Sequence, residues 1–417
     1  MSSVSFLLLI LSVGATVMAR RTMKDLEKLN DTLFEDYRPE FRPVFYIDDT
    51  LQVNVTYNLF SVIDFNVVTE IVSLSGVFVI LWHDYRLQWD PDDFGGVEGM
   101  VLPASQLWLP SIVLINAADG MQHIGSDESN VYVLYNGDIY WNPGGVLISS
   151  CLANMRSFPK DHHICRLILC NMIHTSHEME LVVPTSAVNN EFLLKNGEWD
   201  VLGIHMSDKV DDYDQMESSS SSYISISIHM ARKSKYFIIN MLIPVTVLCI
   251  LESFVFLIPV EASDRVSFSM TLFLALSVYM SVMGSFLPTT SERLPGMTYF
   301  LLASVLHSTM VVLMAIVTIR FSINDDLPAW LVRLNRIKDK RLLKRKQRKK
   351  KNEDLNENFP LDTKVHDTEI DIHDVLVKKS LLHAFDIFLF VITLASMVLM
   401  CLIFYMVYLT DVEDSEH

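Results

Sequence analysis

The sequence lacks the motifs on which most enzymatic chemistry depends. It contains no phosphate-binding P-loop, no nucleophile motif and no paired carboxylates in a plausible pocket. These absences predict that the protein is not an enzyme, and no cofactor is expected. No internal repeat is apparent either. Any ring-shaped assembly therefore has to be built from several copies of the chain.

Cysteine is scarce, with five residues in 417. Cys249 and Cys401 lie in long apolar runs, and Cys170 has no evident partner, so a small buried hydrophobe is its expected role. Cys151 and Cys165 remain, with thirteen residues between them. Two thiols at this separation on the exported side of a membrane protein predict a disulfide-closed loop. Spacing alone leaves open a plain structural staple in a secreted β domain.

Positive charge is concentrated in one short stretch of a chain whose net charge is −17. Twelve Lys and Arg face one acidic residue between Arg333 and Lys351. Apolar spans flank this basic run, so it follows the positive-inside rule for the cytoplasmic loops of membrane proteins. A nucleic-acid partner is therefore not predicted. Residues 20–235 carry 30 acidic and 15 basic side chains. This excess either attracts cations to a pore mouth or only keeps the domain soluble.

Four apolar runs are each long enough to cross about 30 Å of hydrocarbon. They are Phe237–Ile258, Val266–Leu287, Met297–Ile319 and Ile387–Leu409. Residues 1–19 have the apolar core and small terminal residues of a cleavable signal peptide, too short to span a bilayer. Starting outside and crossing four times, the chain is expected to have both termini outside the cell.

Short alternating segments between turn residues follow the signal peptide and predict an extracellular all-β sandwich of roughly ten strands. An amphipathic helix is expected from Asp25 to about Arg38, and Asn30 and Asn54 are candidate glycosylation acceptors. The predicted organisation is a signal peptide at 1–19, the β-sandwich at 20–235, three membrane helices at 236–321, an intracellular loop with a basic amphipathic helix at 322–384, and a fourth membrane helix with a short extracellular C-terminus at 385–417.

The second apolar run carries a polar stripe. Its members recur at steps of four, three, four, three and four residues, which places them on one face of a helix: Ser267, Thr271, Leu274, Val278, Ser281 and Ser285. The stripe is hydroxylic at both ends and apolar in the middle. Such a pattern predicts a water-lined surface, and contact of the serines with neighbouring helices is the alternative.

The chain resembles the Cys-loop pentameric ligand-gated ion channels, and is closest in motif to the nicotinic acetylcholine and serotonin-gated cation channels. The loop between the paired cysteines contains Phe158-Pro159-Lys160-Asp161, the signature of that family. Further matches in order and spacing are Leu87–Gly96, Leu107–Pro110 with Asn116–Gly120, Gly197-Glu198-Trp199, Arg232, Pro244, and Asp264-Arg265-Val266-Ser267 through Leu287-Pro288.

The resemblance implies a pore lined by the second membrane helix of each of five identical or homologous subunits. It makes Leu274, with Val278 one turn above, the hydrophobic gate that closes the pore by dewetting. Asp264 is expected to form the acidic ring that selects cations, because the Pro-Ala insertion of anion-selective relatives is absent. Na⁺ and K⁺ are the implied permeant ions, with Ca²⁺ left open. Ser285 replaces an acidic residue common at the outer mouth.

The ligand site of such channels is an aromatic box at a subunit interface, where ring faces hold an amine. Trp141 is taken as one ring, with core packing as the alternative, and Tyr213 and Tyr223 as an aromatic pair. Ile115 and Val77 occupy positions where rings are expected, and the adjacent cysteine pair of acetylcholine-binding subunits is missing between Lys209 and Tyr223. We therefore expect weak binding of acetylcholine or serotonin, and the small-molecule agonist stays unidentified.

Coupling between the β-sandwich and the pore is the remaining implied function. The resemblance assigns it to Phe158, Pro159, Asp161, Arg232, Thr289 and Pro295, with Phe65–Glu70 as an adjacent hairpin. A proton or zinc sensor built from His162, His163, His174 and His177 is a separate alternative.

The sequence thus predicts a subunit of a ligand-gated cation channel in the plasma membrane, with a postsynaptic location left open. A non-binding or modulatory subunit of a heteropentamer is one alternative. A four-span adhesion or scaffold protein without a pore is another, although it leaves the polar stripe unexplained. A transporter would need broken helices or intramembrane charge, and only Glu252 lies inside a span.

Overall fold

The computed structural model describes residues 22–126, 128–184, 192–208, 221–260, 264–287, 295–323 and 364–413, with side chains of the last helix from Lys379 to Met406. It divides into two compact units. The first contains Met1–Ala153 and His162–Arg232, and the second contains Asn154–Asp161 and Lys233–His417. The signal peptide, Tyr213, Thr289 and the basic run Arg333–Lys351 lie outside the described residues.

The first unit opens with helix α1, Met23–Phe34. A capping box starts it: the Thr22 hydroxyl accepts from the Asp25 backbone N–H, and the Asp25 carboxylate accepts from the Thr22 N–H. The helix ends at Phe34. The sequence pattern had placed this end further along the chain, at about Arg38. Tyr37 leaves the helical path, and its hydroxyl donates to buried Asp84 at 2.9 Å.

Twelve strands follow among the described residues, against roughly ten expected. They are β1 Leu51–Asn66, β2 Ile71–Gln88, β3 Gly99–Pro103, β4 Ile112–Leu114, β5 Gln122–His123, β6 Asn130–Leu134, β7 Asn136–Trp141, β8 Gly144–Ser150, β9 His162–Asn171, β10 Met179–Val182, β11 Trp199–Ser207 and β12 Tyr223–Arg232. Strands as short as β4 and β5 are too brief to display alternation in the sequence, which explains the undercount.

The strands form two sheets, which confirms the predicted β-sandwich. The first has the order β10-β1-β2-β7-β6-β3, with β8 also pairing with β2, and the second has the order β11-β12-β9-β4-β5. Burial alternates along β1 and β2, so every second side chain enters the core. The disulfide between Cys151 and Cys165, with Cα atoms 5.0 Å apart, joins the end of β8 to β9 and therefore links the two sheets.

Among its described residues, the second unit has four helices long and apolar enough to cross a membrane, in agreement with the four predicted spans. They are α2 Lys235–Leu257, α3 Asp264–Gly284, α4 Gly296–Ile323 and α5 Lys364–Glu413, whose apolar span is Lys379–Met406. The helix α5 begins inside the stretch 322–384 that was expected to be an intracellular loop. Polar residues fit a helix outside a membrane as well as a loop, so composition alone could not separate the two.

Candidate pore-lining helix and ligand site

The polar stripe of α3 is exposed along its whole length. Five members on α3, and Ser285 directly after the end of the helix, have large accessible fractions: Ser267, Thr271, Leu274, Val278, Ser281 and Ser285. Leu274 is 63% exposed and Val278 56%. The opposite face of the helix is buried through Arg265, Ser269, Leu276 and Met283. The bundle therefore covers one side of α3 and leaves the hydroxyl-bearing side uncovered.

Hydroxyl groups of the stripe bond to their own helix. Thr271 Oγ1 donates to the Ser267 carbonyl at 2.8 Å, and Ser285 Oγ donates to the Val282 carbonyl at 2.7 Å. Each hydroxyl oxygen keeps acceptor capacity for water or a hydrated cation. Leu274 and Val278 lie between them and offer no polar atom. This arrangement suits a wetted path with one apolar constriction.

The first turn of α3 carries two opposite charges, of which one is exposed and the other is buried. Asp264 is exposed, and its carboxylate stands at the positive end of the helix dipole. Arg265 is fully buried and forms a two-bond ion pair with Asp386 of α5, at 2.7 and 3.2 Å. The sequence pattern did not predict this ion pair, because in the sequence Asp386 is only an acidic residue at the edge of an apolar run.

Tyr279 connects α3 to α2 at the proline of α2. In an α-helix the Asn240 carbonyl would accept from the N–H of residue 244, which is a proline and has none. The Tyr279 hydroxyl donates to that carbonyl and also lies 3.2 Å from the Met241 carbonyl oxygen. The preceding residues Ile238–Leu242 form a π-helical segment. A neighbouring helix thus supplies the donor that proline removes.

Trp141 lies in the core of the first unit and is only 2% exposed. Its indole N–H donates to Ser129 Oγ at 2.7 Å, and its ring packs edge-to-face on Trp82 at 6.5 Å. A Cβ on Gly125 would lie 2.1 Å from this ring, so the residue there must be glycine. The structure favours the alternative that Trp141 is core packing rather than a ligand-facing ring.

The other expected ligand residues lie on two different sheets. Tyr223 begins β12 and pairs with Cys170, while Ile115 follows β4, with its N–H bonded to the Ile168 carbonyl. Both are half-buried on the second sheet. Val77 is half-buried on β2 of the first sheet, opposite Asn58 and Gly144. Tyr223 and Ile115 therefore share a sheet, whereas Val77 and Trp141 belong to the other sheet.

The tip of the disulfide loop packs with the membrane helices. Phe158, 2% exposed, meets the Phe237 ring of α2 edge-to-face at 5.3 Å. The Gly296 N–H at the start of α4 donates to the Arg156 carbonyl at 3.1 Å. Pro159 and Asp161 are buried in the same segment, whose Phe158-Pro159 bond is cis, and Pro295 is buried directly before α4. The loop tip is therefore a structural part of the second unit.

Arg232 joins the two other residues that the family motif singled out. Its guanidinium carbon lies 4.1 Å from the Trp199 ring centroid, and its Nη1 donates to Glu198. Trp199 and Arg232 face each other across β11 and β12, and Phe65 packs 5.2 Å from the Trp199 ring. The Phe65–Glu70 segment forms the turn between β1 and β2, and the Glu70 carbonyl accepts from the Cys151 N–H.

The remaining candidates occupy less distinctive surroundings. Asn30 is half-buried on α1, and Asn54 is half-buried on β1, paired with both Val182 and Leu81, whereas glycosylation acceptors usually lie on surface loops. Burial lowers the pKa of His174, Glu178 raises it and Arg42 lowers it further. Burial raises the pKa of the Cys170 thiol, in agreement with its expected role as a buried hydrophobe. Among the described residues no group could hold a metal ion.

The two units match two family models along nearly the whole chain. Residues 26–234 match the neurotransmitter-gated ion-channel ligand-binding domain. Residues 241–386 match the neurotransmitter-gated ion-channel transmembrane region. The chain belongs to the neurotransmitter-gated ion-channel family. Within this Cys-loop family, its resemblance to the nicotinic branch is confirmed by the relatives below.

Curated proteins similar to this chain include acetylcholine receptor subunits. A beta-type subunit from Caenorhabditis elegans is 29% identical over 73% of this chain and 62% of its own length. Human neuronal acetylcholine receptor subunit alpha-3 is 26% identical over 78% of this chain and 65% of its own. The rat delta subunit is 29% identical over 71% of this chain and 60% of its own. The chain thus spans about three fifths of the length of these family members.

Proposed function

We propose that the chain is one subunit of a pentameric ligand-gated cation channel, with four further identical or homologous subunits around a central pore. One observation carries the proposal: the hydroxyl–leucine–hydroxyl stripe of α3 is uncovered while the opposite face is buried in the bundle. No other part of the chain that the structure describes covers this face. Five such faces around an axis would form a water-lined pathway.

Ion selection and gating are assigned to single positions on α3. Asp264 supplies a carboxylate ring at the inner mouth, which lowers the energy barrier for the entry of Na⁺ and K⁺. Ca²⁺ is a further candidate permeant ion. Leu274, with Val278 above it, supplies the apolar ring that closes the path by dewetting. Family membership supports a multi-pass receptor of the plasma membrane with both termini outside. A postsynaptic location is part of the same proposal.

Coupling is assigned to the loop tip and its partners. Phe158 on Phe237 and the Arg156–Gly296 bond connect the disulfide loop with the starts of α2 and α4. Pro159, Asp161, Arg232 and Pro295 are buried and are assigned to coupling by the family motif, and Thr289 is included on its position in the sequence. Movement of this loop would act directly on the helices that hold α3.

A second candidate is a subunit that conducts without binding the agonist. Ile115 and Val77 are aliphatic, and Trp141 is enclosed in the core, so the chain presents few ring faces for an amine. In that case the ligand would bind mainly between other members of a heteropentamer. The small-molecule agonist itself is not identified by the residues on either sheet.

The test is expression of the chain alone and with a nicotinic subunit, with ligands applied under voltage clamp. Cysteine variants at Ser267, Thr271 and Ser281 should become blocked by a charged thiol reagent. Cysteine variants at Leu276 and Met283, on the buried face, are the matched controls and should stay unmodified. The absence of current with every partner would favour an adhesion or scaffold protein. Block at both sets alike would contradict the assignment of the pore face.

A further inference from the structure

Among the described residues of the second unit, a buried ion pair joins the first turn of α3 to the start of the α5 span. Arg265 Nη2 donates to Asp386 Oδ1 at 2.7 Å, and Nη1 donates to Oδ2 at 3.2 Å. Arg265 is 0% exposed and Asp386 4%. This two-point geometry fixes the direction of the guanidinium plane as well as its distance.

Apolar side chains enclose this ion pair. The Arg265 guanidinium carbon lies 5.2 Å from the Phe256 ring centroid of α2. Phe256 itself belongs to a buried cluster with Val311 of α4 and Leu389 of α5. Side chains of α2 and α5 therefore contact the guanidinium, and α4 and α5 pack against Phe256 beside it. A buried charge of this kind is stable only while its partner is ionised and in place.

The position of Arg265 next to Asp264 gives the pair a consequence for the pore. Successive residues of a helix point about 100° apart, so a helix can bury one and expose the next. Here the arginine is buried in the bundle and the aspartate is exposed. If Arg265 instead faced the same side as Asp264, its positive charge would cancel much of the field of the adjacent carboxylate.

We propose that Asp386 is a positioning residue for ion selectivity. It holds the Arg265 charge inside the bundle and neutralises it, so that the Asp264 ring alone sets the field at the inner mouth. The proposal rests on the cation-channel function proposed above. It assigns a role in permeation to a side chain on α5, 122 positions after Asp264 in the sequence.

The test compares three variants in whichever assembly carries current: Asp386→Asn, Arg265→Gln and the double variant. Asp386→Asn leaves the arginine charge unpaired, so we expect a reversal potential shifted toward that of chloride and a lower single-channel conductance. Arg265→Gln removes the charge and should stay cation-selective, with a conductance no lower than that of the parent. The double variant should recover the cation selectivity that Asp386→Asn loses.

Glu252→Gln is the matched control. It removes another buried carboxylate, 1% exposed and bonded to Ser308, from the same bundle without freeing a cation beside Asp264. Its reversal potential should equal that of the parent. Surface labelling of all variants separates loss of assembly from altered permeation.

Several results would overturn the proposal. One is an unchanged reversal potential and conductance in surface-expressed Asp386→Asn. Another is a loss of cation selectivity in Arg265→Gln, and this variant decides the matter even if Asp386→Asn fails to reach the surface. A parent chain that carries no current with any partner would instead refute the channel function itself. A purely structural ion pair would impair both single variants alike and leave permeability unchanged.

Discussion

The hydroxyl of Tyr279 on α3 donates a hydrogen bond to the carbonyl oxygen of Asn240 on α2. Pro244 cannot provide the N–H that an α-helix would offer to that carbonyl. The bond therefore satisfies a polar group that lipid could not. It also ties the candidate pore-lining helix to the segment of α2 where the helix becomes π-helical.

Tyr279→Phe should destabilise the bundle, because it keeps the ring but leaves the Asn240 carbonyl without this donor. A carbonyl left without a hydrogen-bond donor away from water costs roughly 1–3 kcal/mol. The check is the temperature at which the detergent-solubilised protein loses its elution peak after heating. Tyr299→Phe, at an exposed tyrosine of α4, is the matched control and should behave like the parent. Equal temperatures for both variants would show that the bond contributes nothing.

The features that the sequence predicted correctly are those set by local periodicity. The four spans follow from runs of apolar residues, and the exposed stripe of α3 follows from steps of three and four residues between Ser267 and Ser285. The Cys151–Cys165 disulfide follows from spacing and compartment. Each of these signals lies within about 25 residues, where pattern and geometry are directly connected.

The features that the sequence did not predict depend on distant partners. Trp141 has the residue type of a ligand-binding ring, but Ser129, Trp82 and Gly125 enclose it. In the sequence, Arg265 is a charged residue beside Asp264, and nothing indicates that it is buried. In the structure, Asp386 of another helix lies 2.7 Å from its guanidinium. Burial of a polar or aromatic side chain is decided by tertiary packing, which a single sequence does not display.

Selectivity is expected to depend on the carboxylate of Asp264. Asp264→Ala combined with a proline insertion before it should move the reversal potential toward that of chloride, because the negative ring at the inner mouth is removed. Asp264→Glu keeps the charge and should remain cation-selective. Dilution potentials under voltage clamp provide the measurement. If the neutral variant kept the cation reversal potential of the parent, selectivity would reside elsewhere.

The gate is expected at Leu274. Leu274→Ser adds a hydroxyl to the narrow apolar ring, so the closed state loses its dewetting barrier. Such channels should leak at rest or open at lower agonist concentration, measured as holding current and as a shifted concentration–response curve. Leu276→Ser, on the buried face of α3, should lower expression without causing a leak. A leak in Val278→Ser but not in Leu274→Ser would place the gate one turn higher.

Acidification is expected to destabilise the first unit through His174. Its pKa lies below the ordinary value of 6.5, chiefly because burial disfavours the charged ring. The unfolded chain therefore binds the proton first, and this stabilising contribution is full above 6.5 and disappears as the pH falls through the folded pKa. His174→Gln should flatten the pH dependence of the melting temperature between about pH 7.5 and 5.5. An identical pH profile would show that another group causes the loss.

The agonist is expected not to be acetylcholine held in a complete aromatic box. Ile115 and Val77 offer no ring, and each cation–π contact is worth about 0.5–2 kcal/mol. Two missing contacts amount to roughly 1–4 kcal/mol, or about one to three decades of affinity. Tyr223 leaves at least one aromatic residue on the same sheet as Ile115.

The combination of Ile115→Tyr and Val77→Trp tests this directly. Ile115 and Val77 lie on different sheets, and in the proposed pentamer the two new rings would hold one amine across a boundary between neighbouring subunits. The double variant should therefore gain amine sensitivity beyond the sum of the single variants, measured as agonist-evoked current. Val79→Trp, two residues further along β2, is the matched control and should add nothing. Robust micromolar acetylcholine currents from the unmodified homomer would show that the site is complete without these rings.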